Sequence, residues 1–294
     1  MPHILKNNTL EIHLDLPSEN YRHARFDWTG KISTLRFHNT PLESFERADG
    51  QNAPHVGKGL YNEFGIDRAL GFEETEMGGW FHKIGVGLLK KNNSEYRFDR
   101  DYEIDPADFA VNAEAHRVLI SCRSKTVNGY SYLLNKSIEL NDNSFTINYY
   151  LENTGKKDII TDEYTHNFIA IDQEPIGNKY ILKFPFQIKP ELFEETVNPE
   201  GKVTIGQNKI SFNSTPKEPF FFSNLTGNEL AKASWELVNL QSKIGISETG
   251  NFKTDKVNLW GWTHVISPEL FIKIVLKPGK TTEWSRTYEF YTIH

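Results

Sequence analysis

The 294-residue sequence predicts an all-β fold, one large antiparallel β-sandwich that residues 1–294 form as a single domain. Short runs of β-branched and aromatic residues recur along the chain, and turn-forming residues separate them. No Ser/Gly tract, charge block or repeat of fixed period divides the chain into two units. The length alone would suggest about two domains, but β-sandwiches of roughly 200–250 residues commonly form one.

The predicted strands rest on a two-residue period, because successive side chains of a strand point to opposite faces. In residues 10–16, leucine and isoleucine alternate with acidic residues and a histidine, which predicts a strand buried on one face. Segment Asn228–Val238 fits either a helix or a strand. Further strands are predicted at Arg117–Ser121, Ser131–Leu140, Ser144–Glu152, Tyr180–Ile188, Val203–Ile205, Lys209–Asn213, Leu270–Leu276 and Thr287–Ile293. Turn signals stand at Asn153–Gly155, Asn198–Gly201, Thr249–Asn251 and Lys277–Gly279.

The least regular part of the sequence is the segment 41–80, which is rich in glycine and mixes charged with aromatic residues. Long irregular segments in compact β proteins are usually binding loops, because a rigid sheet can hold them in place. We therefore expect functional loops along one sheet, with this segment among them.

Composition and charge disfavour several classes of partner. The formal charge of −6 argues against nucleic acid and anionic lipid. No apolar run approaches the roughly 18–20 residues of a membrane helix, and the N-terminal residues lack the features of a signal peptide. The single cysteine, Cys122, cannot form an internal disulfide. These features predict a protein of the reducing cytoplasm that does not enter a membrane, and they leave its oligomeric state open.

An aromatic cluster at Leu259–His264 fits a carbohydrate site as well as a protein core. Trp260 and Trp262 alternate there with small and polar residues. Sugars present flat C–H faces flanked by hydroxyl groups, so their sites combine aromatic rings with carboxylate, amide and imidazole groups. A tryptophan pair that fills the core beside an edge loop has the same pattern, and the residues alone favour that second interpretation.

The candidate acid–base residues are three histidines and one glutamate. His82, His166 and His264 stand among polar or aromatic residues, and the pKa of histidine lies close to neutral pH. A hydrogen-bonded structural histidine is the competing interpretation, and the residues favour it for His82 and His264. Glu269 stands where an apolar strand begins, so partial burial there would raise its pKa toward that of a general base. Local sequence alone favours a solvent-facing glutamate after a proline turn.

Other motifs that carry chemistry are missing from the sequence. There is no Gly-x-Ser-x-Gly elbow, no Gly-rich phosphate loop ahead of Lys-Ser/Thr and no complete dinucleotide fingerprint. No Cys/His spacing indicates structural zinc. Nothing in the spacing requires a metal held by His166 with Asp162 or Glu163. We therefore expect neither a cofactor nor a metal.

Six motifs follow one another in the order Tyr21–Gly30, Asn62–Gly65, Gly78–Gly87, Tyr164–Phe168, Ser267–Glu269 and Leu276–Gly279. In this order the motifs resemble a branch of the aldose 1-epimerase (galactose mutarotase-like) superfamily. The resemblance covers roughly residues 20–290. It implies a large antiparallel β-supersandwich, in agreement with the strand pattern.

The resemblance also implies a reaction that needs neither cofactor nor metal, the interconversion of the α and β anomers of a small-molecule carbohydrate. In that superfamily a carboxylate takes the proton of the anomeric hydroxyl while a histidine protonates the ring oxygen. His166 matches the family histidine and is thereby implied as the general acid. Glu269 matches the family glutamate and is implied as the general base. The two residues are 103 positions apart, so only folding can bring them together.

Departures from the superfamily pattern indicate a remodelled pocket. In the superfamily, an Asn followed by His-Gly-Gly supplies a second histidine. This sequence does not contain that motif, and Gly78-Gly79 with His82 is a rearranged version of it. Asn62–Gly65 occupies the region where sugar mutarotases often carry a binding arginine. The candidate substrate-binding residues are Arg25, Glu63, His82 and Trp262.

Three alternatives stand beside an epimerase that acts on a free sugar or a sugar derivative. One is a carbohydrate-binding protein that has the same fold but no turnover. Another is a lyase or hydrolase that uses Glu269 with a second carboxylate such as Glu163. The third is a hexose-6-phosphate 1-epimerase, which would need convergent cations. The cations available for a phosphate are Arg22, Arg25, Arg68 and Lys83.

Overall fold

The computed structural model describes residues 2–17, 19–48 and 54–293 of the chain. Strands make up 52% of it and helical residues 2%, which confirms the predicted all-β fold. We number the strands β1 to β24 in chain order. In the described part of the chain, the helical residues form two short 3₁₀ turns, Ile171–Gln173 and Pro190–Leu192. Within the described ranges, no helix is long and apolar enough to cross a membrane.

The largest sheet has ten strands in the described part of the chain, and its hydrogen-bonded neighbours run antiparallel. From edge to edge its strands are Val203–Ile205 (β16), Lys209–Phe212 (β17), Tyr180–Lys183 (β14), Ala231–Asn239 (β19), Ile244–Thr254 (β20), Thr281–Thr292 (β24), Ser144–Asn153 (β12), Tyr132–Leu140 (β11), Arg117–Arg123 (β10) and Asp108–Ala113 (β9).

The second large sheet has seven described strands, and it contains the pair on which the candidate site is built. Its order is His3–Lys6 (β1), Leu10–Asp15 (β2), Lys31–Phe37 (β3), Leu60–Phe64 (β5), Ile159–Asn167 (β13) and Ile272–Leu276 (β23), with Thr40–Pro41 (β4) paired to β3.

Two smaller sheets complete the described strands. A three-stranded sheet contains Trp80–Lys83 (β6), Gly87–Lys90 (β7) and Ile104–Pro106 (β8). A four-stranded sheet contains Thr196–Val197 (β15), Phe220–Phe222 (β18), Val257–Trp262 (β21) and Val265–Leu270 (β22).

One continuous hydrophobic core joins the two large sheets. Ile12 of β2 and Ile32 of β3 belong to the same buried cluster as Ile147 of β12 and Phe290 of β24. β12 buries alternate residues over its whole length, as the two-residue period predicts, whereas β5 and β22 are buried throughout. The molecule is therefore a sandwich whose inner faces are largely apolar, with a few buried charged side chains among them, such as Glu163 and Arg286.

Several predicted segments differ from the observed strands. The strand predicted at Tyr180–Ile188 ends at Lys183, the one predicted at Thr287–Ile293 is the end of the longer β24, and Thr249–Asn251 lies within β20 rather than at a turn. Segment Asn228–Val238 is not helical, because its residues from Ala231 onward form β19 between two neighbouring strands. The segment predicted as one strand at Leu270–Leu276 is two strands, because Phe271 donates its backbone N–H to Lys256 and the chain then pairs with a different neighbour. Glu269 consequently lies inside β22 rather than ahead of a strand.

Replacing Gly59 by alanine should destabilise the fold strongly. Gly59 has φ +61°, and an added Cβ would lie 2.2 Å from the carbonyl oxygen of Ile32. The left-handed backbone costs a residue with a Cβ about 1–2 kcal/mol, and the clash with β3 adds to that cost. Gly201 is the matched control, since it has φ +63° and open space around its Cβ position. Urea unfolding should show a larger loss for Gly59→Ala than for Gly201→Ala, and equal losses would contradict the expected clash.

Candidate active site

Two neighbouring strands of the seven-stranded sheet, β5 and β13, carry polar side chains on both faces. Their antiparallel register sets Glu63 opposite Tyr164 and Tyr61 opposite His166. Directly opposite residues of an antiparallel pair project to the same face, and side chains along each strand alternate between faces. One face therefore carries Glu63, Tyr164 and His166, whereas Glu163 projects from the other face into the core.

Glu63 is the centre of the cluster on the first face. Its Oε2 accepts a hydrogen bond from the Tyr164 hydroxyl at 3.0 Å and lies 3.3 Å from His166 Nε2 and 3.5 Å from Arg25 Nε. Its Oε1 lies 3.1 Å from Lys83 Nζ. The side chain is fully buried. Burial alone would raise its pKa, but the charge of Lys83 and the contacts with the other basic groups outweigh burial and lower the pKa to about 2.

His166 lies between two carboxylates. Its Nε2 faces Glu63 and the Tyr164 hydroxyl, which is 2.5 Å away. Its Nδ1 lies 3.0 Å from Oε1 of Glu269, within ion-pair distance. Burial alone would lower the pKa of His166, but Glu269 and then Glu63 outweigh it and raise the pKa above its usual value. His166 is thereby held as an imidazolium to higher pH than a free histidine.

Glu269 reaches the cluster from β22, on a different sheet. The Ser267 hydroxyl donates to Glu269 Oε1 at 3.0 Å, and the backbone N–H of Asn167 donates to Ser267 Oγ at 3.0 Å. This short chain of hydrogen bonds ties the end of β13 to β22. Oε2 of Glu269 has no hydrogen-bond partner among the described residues, so it is available to accept a proton from a ligand.

Arg25 links the buried part of the cluster to a carboxylate nearer the surface. Its NH1 group donates to both oxygens of Glu46, at 2.8 and 2.9 Å. The guanidinium packs on the rings of Phe26 and Phe98, with centroid distances of 4.5 and 4.6 Å. Burial would raise the pKa of Glu46, but the charge of Arg25 outweighs it and lowers the pKa. Arg25 therefore stays charged and fixed in orientation.

The formal charges of the cluster balance only when His166 is protonated. Three cationic groups then face three carboxylates, and loss of the His166 proton would leave an excess negative charge in a buried place. The six charged residues are Arg25, Lys83, His166, Glu46, Glu63 and Glu269.

Replacing Glu63 by glutamine should lower the pKa of His166, because it removes one of the two carboxylates that stabilise the imidazolium. In the variant His166 would lose its proton at lower pH. An NMR titration of the His166 ring measures this change, and Glu191→Gln on the exposed surface is the matched control. Glu269→Gln should shift the pKa in the same direction. An unchanged His166 pKa in both variants would contradict this account of its charge.

The other two candidate substrate-binding residues lie in different surroundings. His82 is buried with its ring against Tyr130 and Tyr132, and burial lowers its pKa to about 4. The ring of His82 therefore lies apart from the cluster around Glu63. Trp262 is half-buried, contacts the ring of His264 at a centroid distance of 5.6 Å and donates its Nε1–H to the carbonyl of Lys217.

Aromatic rings connect the tryptophan pair with the cluster. Phe168 stacks on His166 at a centroid distance of 5.2 Å, and Trp260 meets the edge of Phe168 at 6.2 Å. Trp260 and Trp262 are both partly exposed and pack against a hydrophobic cluster, so the pair belongs partly to the core and partly to the surface beside the site.

Glu163 does not join Glu269. Its side chain lies on the core face of β13, where Oε2 accepts hydrogen bonds from Arg286 at 2.7 Å and from Trp284 at 3.1 Å. A hydrolase mechanism that pairs Glu163 with Glu269 therefore has no support in the geometry. Among the residues described, no group of three histidine, cysteine, aspartate or glutamate side chains is arranged to hold a metal ion.

Three members of the cluster are not predicted from the sequence: Glu46, Lys83 as the partner of Glu63, and Tyr164. Tyr164 stands two positions before His166, so the period of a strand already predicts that both side chains share a face. Lys83 lies on β6, outside the sheet that carries Glu63, and Glu46 lies in an irregular segment. No local pattern in the sequence connects either of them with Glu63.

Solved structures with the same fold extend over the whole described chain. The Slr1438 protein of Synechocystis sp. PCC 6803 is 13% identical with a TM-score of 0.62, and the match covers 99% of this chain and 96% of that one. A galactose mutarotase-like protein of Lactobacillus casei ATCC 334 is 11% identical with a TM-score of 0.60, covering 99% and 100%. The GalM/aldose epimerase homologue of C. elegans is 14% identical with a TM-score of 0.57, covering 100% of both chains.

These similarities define the fold as galactose mutarotase-like. Many of the similar structures are named aldose 1-epimerases or galactose mutarotase-like proteins, as the sequence motifs lead one to expect. At 10–14% identity the likeness concerns the fold and leaves the reaction open. No protein-family model matches the chain, and no curated protein sequence matches it.

Proposed function

We propose that the protein is an isomerase of the aldose 1-epimerase type that interconverts the α and β anomers of a free sugar or sugar derivative. The supporting observation is the 3.0 Å contact between His166 Nδ1 and Glu269 Oε1, two groups that are 103 positions apart in the chain. The anomeric hydroxyl and the ring oxygen of a sugar are bonded to the same carbon. A base for one and an acid for the other must therefore lie close together.

In the proposed reaction, the Glu269 carboxylate takes the proton of the anomeric hydroxyl and the His166 imidazolium gives a proton to the ring oxygen. The bond between C1 and the ring oxygen breaks, and the electron pair of the former O–H bond forms the carbonyl of the open-chain aldehyde. After rotation about C1–C2 the same steps run in reverse on the other face of the carbonyl. Protons and electrons balance without a cofactor.

The two nitrogens of His166 face different partners. Nε2 faces Tyr164 and Glu63, whereas Nδ1 faces Oε1 of Glu269 at 3.0 Å. We propose that the proton given to the sugar comes from Nδ1, the nitrogen beside the proposed base. Glu63 keeps the ring charged and oriented, and acts as a positioning residue.

A phosphorylated substrate is disfavoured by the way the cations are used. Arg25 and Lys83 both pair with the buried carboxylate of Glu63, so neither presents an uncompensated charge to a phosphate group. The cluster instead offers neutral hydroxyl groups an acid and a base. We therefore place unphosphorylated aldoses ahead of hexose 6-phosphates.

The test is an NMR exchange measurement on a panel of free aldoses, uronates and hexose 6-phosphates. The expected result is faster exchange between the anomers of at least one unphosphorylated sugar at catalytic protein concentrations. Resonance shifts of the protein without faster exchange would identify a carbohydrate-binding protein on the same fold. Acceleration confined to hexose 6-phosphates would contradict the proposed substrate class.

A further inference from the structure

A separate cavity of about 740 Å³ lies beside the candidate active site. Tyr61 lines this cavity and stands opposite His166 in the register of β5 and β13. The Phe26 ring contacts both, at centroid distances of 5.3 Å from Tyr61 and 5.2 Å from His166. His166 and Glu269 themselves do not line the cavity. The cavity therefore lies apart from the pair His166 and Glu269, on the same side of the sheet.

Two buried polar groups in this cavity lack internal partners. The side chains belong to Asp15 and Tyr61, which are 3% and 4% exposed. Oδ1 of Asp15 accepts a hydrogen bond from the Asn20 amide at 2.6 Å. In the described ranges, neither the second oxygen of Asp15 nor the hydroxyl of Tyr61 has a hydrogen-bond partner. Both groups therefore open onto the cavity, where the hydroxyl groups of a ligand can bind them.

The remaining lining combines flat rings with charged groups of both signs, the cations Arg22 and Lys58 and the carboxylates Asp15 and Asp101. Tyr21 meets Tyr61 edge-on at a centroid distance of 5.6 Å, and Tyr102 also lines the cavity. The His23 Nε2 lies 3.2 Å from the carboxylate of Asp101. The two cations and two carboxylates among the lining residues balance, which favours a ligand without net charge. A ring with apolar faces and several hydroxyl groups matches these walls.

We propose that this cavity binds a neutral carbohydrate ring as a second ligand site. One ligand hydroxyl donates a hydrogen bond to the free oxygen of Asp15, and another accepts one from the hydroxyl of Tyr61. The aromatic walls contact the C–H faces of the ring. Binding of a carbohydrate in this cavity does not depend on turnover of a sugar at the candidate active site.

The test is a ¹H–¹⁵N NMR titration of the labelled protein with D-glucose and with cellobiose, following the backbone amides of residues 20–23 and 101–104. The free monosaccharide and the disaccharide distinguish a site for a single ring from one for part of a longer glycan. Tyr61→Phe should weaken binding at these amides by roughly tenfold, the loss of one hydrogen bond to the ligand. Its stability should not fall, because the hydroxyl has no internal partner to lose.

Tyr150→Phe, on the half-buried surface of β12, is the matched control and should bind like the wild type. Asp15→Asn is the second variant and should also weaken binding. His166→Asn should leave these shifts in place, which separates this cavity from the candidate active site. The proposal is overturned if neither sugar shifts the amides, if Tyr61→Phe and Asp15→Asn bind as the control does, or if D-glucuronate binds more tightly than D-glucose.

Discussion

Replacing Glu269 by glutamine, or His166 by asparagine, is expected to slow the exchange of sugar anomers by roughly 10²–10⁴-fold. Glutamine keeps the shape of Glu269 but cannot accept the anomeric proton. Asparagine cannot supply the proton that His166 gives to the ring oxygen in the proposed reaction. Because the two groups act together in that reaction, the double variant should be about as slow as the slower single variant. The NMR exchange assay measures all three rates on the same sugar.

Exposed residues provide matched controls for both substitutions. Glu191→Gln and His116→Asn repeat the chemical changes at the surface and should leave the exchange rate unaltered. The pH dependence gives an independent reading, since catalysis by protonated His166 declines as the pH rises through its raised pKa. Wild-type rates in the Glu269→Gln and His166→Asn variants would remove these residues from the mechanism.

Replacing Arg286 by methionine should cost about 3–5 kcal/mol of stability. Arg286 is fully buried in the core, with NH1 2.6 Å from Glu248 Oε1 and NH2 2.7 Å from Glu163 Oε2. Methionine fills similar volume but leaves two buried carboxylates without their cation, and desolvated charges of one sign are very unfavourable. Urea unfolding measures the loss as a drop in the free energy of unfolding.

The triple variant Arg286→Met, Glu163→Gln, Glu248→Gln should recover much of this stability, because it removes the charges that Arg286 compensates. Arg123→Met at an exposed position of β10 is the control, for which a change within about 0.5 kcal/mol is expected. If the single Arg286→Met variant is as stable as this control, the buried charges do not depend on Arg286.

Much of the fold could be predicted from the sequence because strand periodicity is local. The alternation in residues 10–16 predicts β2, and the long runs predict β11 and β12 within one residue at each end. The errors and the open choices fall where tertiary pairing decides. Phe271 interrupts a continuous apolar run because the chain changes from one sheet to another there. Residues 231–239 become a strand because both their neighbours are strands, although their own pattern fits a helix as well.

The candidate site could be predicted less completely. Four of its residues, Arg25, Glu63, His166 and Glu269, stand in motifs whose order resembles a known superfamily, and the structure places them in mutual contact. His82 belongs to the same set of motifs but lies among tyrosine rings. A motif conveys which residue types are present, whereas the direction of each side chain depends on strand register and sheet order.

The sequence by itself determined the alternating strands, the turns that separate them and the residue types available for acid–base chemistry, because these depend on near neighbours. Only the tertiary structure decided that Glu269 of one sheet meets His166 of another, and that Lys83 and Arg25 compensate Glu63. It also decided that the polar residues of β13 divide between the site and the core, Tyr164 on one face and Glu163 on the other. Burial and the distances between charges set these roles, and both depend on contacts between residues far apart in the chain.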